Sequence, residues 1–376
     1  MTITETAYNS VTKISVVELR VDMILAMDIV NEMGAVILAK DTSLNTTNFK
    51  RLLENGIKSA SVKTASINRQ RPELYGVSGK PEPASESEEH LPIKERKDYK
   101  EFVKQHEENN EVIKKQLHAI SDGAQIQLDE LYTLTDNVMN KLKCKSDVFA
   151  YLSSLKTADE HTFAHCNNVS LLCNLFGRWI DMPEAELINL TAAGVLHDVG
   201  KMQVDQKVLN KKGKLTDEEF AEIKKHTTYG YRILEPQNIP TEIKLAVLMH
   251  HEKIDGTGYP TGANHTQISK FAKIVAICDI YDAMTANRIY RDKICPFDVI
   301  KNFEQQSYGK LDTEYLLIFL QNIAYTYIGT KVLLNTGVSG EVVFINKGNL
   351  SRPIIKDGTK YIDLLKEKET FIQEVI

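Results

Sequence analysis

Six of the ten histidines in this 376-residue chain fall between His161 and His251. Asp198 and Asp279 lie among or just after them. His161 and His165 stand four apart, so a helix puts them on one face, which Val169 and Leu172 continue towards a core. His197 and Asp198 close an apolar helical run (Leu190, Val195, Leu196) and precede Gly200-Lys201, a turn and then a cation. His226 lies within another helix. His250 and His251 end a third, after the run from Leu245 to Met249. Successive helical residues point about 100° apart, so these two reach one pocket only where the backbone turns. Asp279 is embedded in Ile274-Val275-Ala276-Ile277-Cys278 and Ile280, where a charge needs a partner or a metal. Asp282 follows on the same side and is expected to support a ligand or cap a helix.

Each residue alone has a plain structural explanation. A lone histidine on an apolar face is usually a satisfied core residue, and a helix-terminal aspartate usually bonds locally. Together, histidines from separate segments and two core-embedded aspartates point to one polynuclear metal site. Imidazole and carboxylate donors suit iron, manganese or zinc, and a carboxylate can bridge two ions. Structural zinc is disfavoured by the cysteines. Cys144, Cys166, Cys173, Cys278 and Cys295 have no C-x-x-C spacing and read as reduced, mostly buried thiols. Directly after His251 comes Glu252-Lys253-Ile254-Asp255-Gly256-Thr257-Gly258-Tyr259-Pro260. Its glycines, proline and aspartate specify a tight loop.

The elements that must position these groups are helical, from Ser146 to about Tyr327. Pro183 marks the first turn of one helix. Thr216-Asp217-Glu218-Glu219 is a capping box that opens a helix reaching Leu234. Pro240 precedes the helix ending near His251, and Phe271 to Tyr290 form the next. The expected class is mainly α, with small β-containing modules at both ends. Residues 1–66 read as a small α+β module, with a hairpin turn at Asn31-Glu32-Met33-Gly34 and a helix through Phe49, Leu52 and Leu53 that stops at Gly56. Residues 67–95, rich in proline, serine and glutamate, read as a flexible linker. Residues 96–144 read as exposed connecting helices, either a solvated connector or the seam of a homodimer. Residues 328–376 are a β-containing tail, with Val332–Leu334 and Glu341–Ile345 forming a hairpin.

Composition sets outer bounds. With 42% hydrophobic and 26% charged residues the chain is an ordinary globular protein. A net charge of −5 gives no support to nucleic-acid binding. No run approaches the ~18–20 apolar residues of a membrane span, and no basic-then-apolar leader opens the chain. The expected location is cytoplasmic.

The ordered series His165, His197-Asp198-Val199-Gly200-Lys201, His226, His250-His251, Asp255-Gly256-Thr257-Gly258-Tyr259-Pro260 and Asp279-Ile280-Tyr281-Asp282 resembles the HD-GYP family of bacterial cyclic di-GMP phosphodiesterases. The likeness covers about residues 145–325, within an expected catalytic domain at 145–327. It implies an HD-type helical bundle that hydrolyses cyclic di-GMP to a linear dinucleotide or GMP; some members act on cyclic GMP-AMP. It implies metal ligation by His165, His197, Asp198, His226, His250, His251 and Asp279, with Asp198 bridging two divalent ions, iron or manganese. Asp198 and Lys201 become the catalytic pair, Lys201 neutralising phosphate charge or assisting proton transfer. Gly258, Tyr259, Arg288 and Arg291 become substrate contacts. His161 departs from the family pattern, which has tyrosine or glutamate there, and a third ion would use it. Asp159 is expected to cap the helix carrying His165. Two rival readings remain: a non-catalytic cyclic-dinucleotide receptor, and an HD hydrolase of another nucleotide such as an alarmone.

Overall fold

The computed structural model describes residues 11–15, 23–30, 36–42, 44, 52, 57, 59–63, 93–142, 147–155, 161–211, 213–285 and 294–376. The chain divides into two compact units, Met1–Lys80 with Asn346–Gly348, and Pro81–Ile345 with Asn349–Ile376. In the first, β1 (Val11–Ser15) pairs antiparallel with β4 (Ser59–Lys63), Val11 opposite Lys63. β2 (Ile29–Val30) pairs antiparallel with β3 (Val36–Leu38), where the hairpin is expected; its turn lies outside the described residues. So does the helix expected through Phe49, apart from the buried Leu52. The proline-rich stretch falls outside them as far as residue 92.

The second unit is mainly helical. It begins with α1 (Lys97–Ser121) and α2 (Leu128–Lys141). α3 (Asp147–Ser154), α4 (His161–Trp179) and α5 (Glu184–Leu196) follow. A 3-10 turn at Val199–Gln203 and the short α6 (Gln206–Leu209) lead to α7 (Asp217–Lys224), α8 (His226–Leu234) and α9 (Thr241–Met249). Last come α10 (Lys270–Thr285), α11 (Pro296–Gln306) and α12 (Thr313–Thr326).

α5 explains the centre of the bundle. Glu184 and Glu186 in its first turn favour the positive end of the helix dipole. From Leu190 to Leu196 every residue is buried, so this segment is wrapped on all sides. α4, α9 and α10 pack around it, and α2 covers it from outside. Phe149, Phe176, Trp179, Tyr281 and Phe319 form an aromatic cluster between helices, with contacting ring centroids 5.4–6.3 Å apart.

Two expectations change here. Phe102, Ile113, Leu117, Leu131 and Val138, read as belonging to exposed helices, are buried. Their 3–4 spacing forms an apolar stripe that α1 and α2 lay against α4 and α5. The stripe is therefore used inside the chain. Second, the helix opened by the Thr216 capping box does not run through to Leu234. The box is formed, but the chain turns at Lys225, whose N–H reaches the Glu222 carbonyl in a tighter bond. α8 starts afresh at His226 and sends that side chain inward.

At the C-terminal end the expected hairpin, β5 (Lys331–Leu334) with β6 (Ser339–Phe344), is the middle of a larger sheet. β7 (Ile354–Asp357), β8 (Lys360–Asp363) and β9 (Ile372–Val375) complete an antiparallel five-stranded sheet in the order β8-β7-β6-β5-β9. Among the described residues, no helix is long and apolar enough to cross a membrane.

Candidate metal centre

Four backbone devices bring the histidines together. α4 presents His165 from its second turn. α5 ends at Leu196, so His197 and Asp198 sit at the turn into the 3-10 segment. That segment lies directly on α8. A Cβ added at Gly200 would stand only 1.9 Å from the His226 carbonyl oxygen and 2.4 Å from the Gly230 nitrogen. Glycine is thus required for the contact that sets Asp198 beside His226. α9 stops at Met249, and the turn lets both following imidazoles enter the pocket, with ring centroids 4.1 Å apart.

The buried imidazoles share one orientation. Nδ1 of His197 lies 2.8 Å from the Gly194 carbonyl, that of His226 2.7 Å from Ile223, and that of His250 2.9 Å from Val247. A carbonyl can only accept, so each Nδ1 carries a proton and each ring turns Nε2 towards the centre. Those nitrogens converge. Nε2 of His226 faces Nε2 of His250 at 3.3 Å, and Nε2 of His197 lies 3.2 Å from that of His165, which is itself 3.0 Å from Asp279 Oδ1. Donor atoms gather in three overlapping sets, each within 4.8 Å: His226, His250 and His251; His165, His197 and Asp279; His197, Asp198 and His250.

Asp198 stands between them, 1% exposed. Its Oδ1 is 3.4 Å from His226 Nε2, while its Oδ2 is 3.4 Å from His197 Nε2 and 2.5 Å from Lys201 Nζ. Each oxygen thus faces a different group of histidines. Among the described residues, buried Oδ1 has no hydrogen-bond partner. A buried acceptor left unpaired is costly, and facing imidazole lone pairs repel. Cations between them would relieve both, so the donor set fits divalent metal ions.

Electrostatics agree. Burial opposes the charge on Asp198, but Lys201 and His197 hold its pKa well below the carboxylate range. Burial likewise opposes the charge on Lys201, and Asp198 outweighs it, raising the pKa. Burial, then neighbouring imidazoles, lower His250 strongly. Burial also lowers His226 and brings His251 to about 4. These rings are neutral near pH 7, the form that binds metal. His165 differs: burial would lower it, but Asp279 and Asp282 carry it up to about 10.

The loop after His251 borders this pocket. Asp255 Oδ1 accepts from the Thr257 N–H and hydroxyl. A Cβ on Gly258 would lie 2.4 Å from Glu252 Cα and Lys253 N, so the loop folds too tightly for any side chain there. Tyr259, joined to Pro260 by a cis bond, sets its ring 4.8 Å from His251. Sequence reasoning missed Glu252. This buried carboxylate accepts from Thr261 N–H, Thr261 Oγ1 and Ala263 N–H at 2.6, 2.8 and 3.0 Å, tying the loop shut. It also missed His106 and Asn168, polar residues placed inside apolar stripes. Asp282 accepts from His165 Nδ1 at 2.7 Å. His161 opens α4, but its side chain lies outside the described residues, as do Asp159, Arg288 and Arg291.

Comparison with known proteins finds similarity over this part of the chain. Residues 147–314 match the HD domain. The chain is 33% identical over 235 residues to a cyclic di-GMP phosphodiesterase of Pseudomonas aeruginosa, covering 62% of this chain and 56% of that protein. It is 31% identical over 191 residues to a 3′3′-cGAMP-specific phosphodiesterase of Vibrio cholerae, covering 51% and 39%. A cyclic di-GMP phosphodiesterase of Thermotoga maritima is 36% identical over 156 residues, covering 41% and 42%. The chain thus spans about half the length, or less, of these curated relatives.

Proposed function

We propose, on the premise that residues 147–314 belong to the HD domain family, that this chain is a metal-dependent phosphodiesterase that opens a cyclic dinucleotide, cyclic di-GMP first. The observation that carries the reading is the Asp198 carboxylate. It has one oxygen towards each group of imidazole nitrogens, and Oδ1 is buried without a hydrogen-bond partner among the described residues. His165, His197, Asp279, His226, His250 and His251 would hold two ions, iron or manganese, with Asp198 shared between them. When bound, the ions supply Lewis-acid charge to activate water and to neutralise the phosphodiester in its transition state.

The chain's own groups do the rest. The carbonyl acceptors on Nδ1 fix the ring planes of His197, His226 and His250, so little reorganisation is needed at the moment of reaction. Lys201, with 22% of its side chain exposed, keeps a charged Nζ at Asp198 Oδ2 and at the pocket's edge. From there it attracts the substrate phosphate. Tyr259 forms one wall beside His251 and offers a ring face to a base. Arg288 and Arg291 are assigned to the dinucleotide's phosphates or guanine on the family resemblance alone.

The matched relatives bear names for both cyclic di-GMP and 3′3′-cGAMP hydrolysis, so both substrates belong in the test. Protein loaded anaerobically with iron or manganese is offered each dinucleotide, and products are separated by chromatography. Linear dinucleotide or mononucleotide is expected from at least one of them. Fully metal-loaded protein that binds a dinucleotide and leaves it intact would instead make the chain a receptor.

A further inference from the structure

A buried polar chain outside this chemistry runs from α1 to the metal centre. His106, 3% exposed, interrupts the apolar stripe of α1 between Phe102 and Ile113. Its Nε2 lies 2.6 Å from Asn168 Oδ1 on α4. Asn168 Nδ2 donates to Asp282 Oδ1 at 2.9 Å, and Asp282 Oδ2 accepts from His165 Nδ1 at 2.7 Å. On the far side Asn110 Nδ2 is 3.3 Å from His106 Nδ1, and Asn167 Nδ2 donates to Asn110 Oδ1 at 2.8 Å.

The direction of every bond is fixed. A carboxylate only accepts, so Asn168 must turn its amide nitrogen to Asp282 and its oxygen to His106. His106 Nε2 therefore donates, and its Nδ1 accepts from Asn110. Burial opposes a charge on His106, in keeping with this single neutral form. The chain is consistent from Asn167 to His165, with no group asked to donate where it can only accept.

We propose that His106 is a positioning residue for the metal centre, acting through Asn168 and Asp282 to fix the ring plane of His165. The inference rests on the metal-centre reading above. Asp282 alone could swing about its side-chain torsion and take the His165 ring with it. Asn168 pins its second oxygen, and His106 holds the Asn168 amide against a flip that would turn its oxygen to the carboxylate. Partners one step beyond a metal ligand typically change affinity 10–100-fold. His106 lies three steps beyond His165, through Asp282 and Asn168, so an effect at the low end of that range, about 10-fold, is expected. It also follows that α1, which precedes the matched segment 147–314, is part of the site's scaffold.

The test needs no nucleotide, so its failure is separable from failure of the hydrolytic reading. Manganese affinity is measured by chelator competition on the full chain for wild type, His106→Met and His106→Gln. Glutamine places an amide N–H near Nε2 and keeps the bond to Asn168. His106→Met should weaken binding of one ion about 10-fold, with His106→Gln close to wild type. Should His106→Met be too unstable to purify, Asn168→Ala cuts the same chain nearer Asp282 and should show at least the same loss. Wild-type affinity in the variant that cuts the chain would overturn the proposal. So would a glutamine variant as impaired as the methionine one.

Discussion

Replacing Asp198 by asparagine tests the centre most directly, because it keeps the shape and removes the charge. Among the described residues the carboxylate of the metal-free protein has one strong partner, Lys201, at 2.5 Å, and one oxygen with no hydrogen-bond partner. Breaking a fully buried ion pair costs about 3–5 kcal/mol. Lys201 keeps 22% of its side chain in solvent and still feels Asp279, so the loss here should fall below that range. With metal the balance differs. An ion present at about 100 times its Kd stabilises the fold by ~2.7 kcal/mol. The variant should forfeit that increment for at least one ion. Losing about 4 kcal/mol of transition-state charge stabilisation corresponds to roughly 10³-fold in rate. Metal stoichiometry, thermal unfolding with and without metal, and kcat/KM on a cyclic dinucleotide together read all three effects. An Asp198→Asn protein that holds two ions, keeps the full metal-dependent rise in Tm and turns over at the wild-type rate would refute the role given to Asp198.

Four further outcomes are expected. Binding metal must displace a proton from His165, whose pKa reaches about 10 beside Asp279 and Asp282 despite its burial; calorimetry at pH 8 should find about one proton released per protein, and none would contradict this. In the metal-free protein two histidines act on stability with opposite sign. The charge on His165 stabilises the fold fully below its ordinary value near 6.5 and is lost as pH rises through about 10. His251, lowered by burial to about 4, costs stability progressively as pH falls from about 6.5 towards that value. Chemical denaturation across pH 4–10 should therefore show a falling limb on each side. Gly258→Ala puts a Cβ 2.4 Å from backbone atoms that cannot yield, so the Tyr259 wall must move; kcat/KM should drop about 10²-fold with metal content unchanged. Gly200→Ala forces the 3-10 turn off α8. It should cost roughly 1–3 kcal/mol and lower metal content as well, as denaturation and elemental analysis would show.

The metal-ligand candidates were legible in the sequence only as a set, because each residue alone has a plain structural explanation. Asp279 inside Ile274–Ile280 and paired histidines at a helix end gain their meaning from the ordered series to which they belong. The helical class and the capping box at Thr216 follow from local periodicity and local hydrogen bonds, which neighbouring residues decide. Other features depend on partners far along the chain. The break at Lys225 cannot be read from a helical pattern that continues past it; it is forced where α8 must meet the 3-10 turn across Gly200. β7, β8 and β9 carry weak period-two patterns and become strands because the hairpin offers edges to pair with. His106 looks like an incidental helical residue until α1 lies against α4 and brings it within 2.6 Å of Asn168. The sequence by itself offered the side chains that are candidates to bind metal. Only the tertiary structure decided which oxygen of Asp198 faces which imidazole, because orientation is set by contacts between segments that the chain order keeps apart.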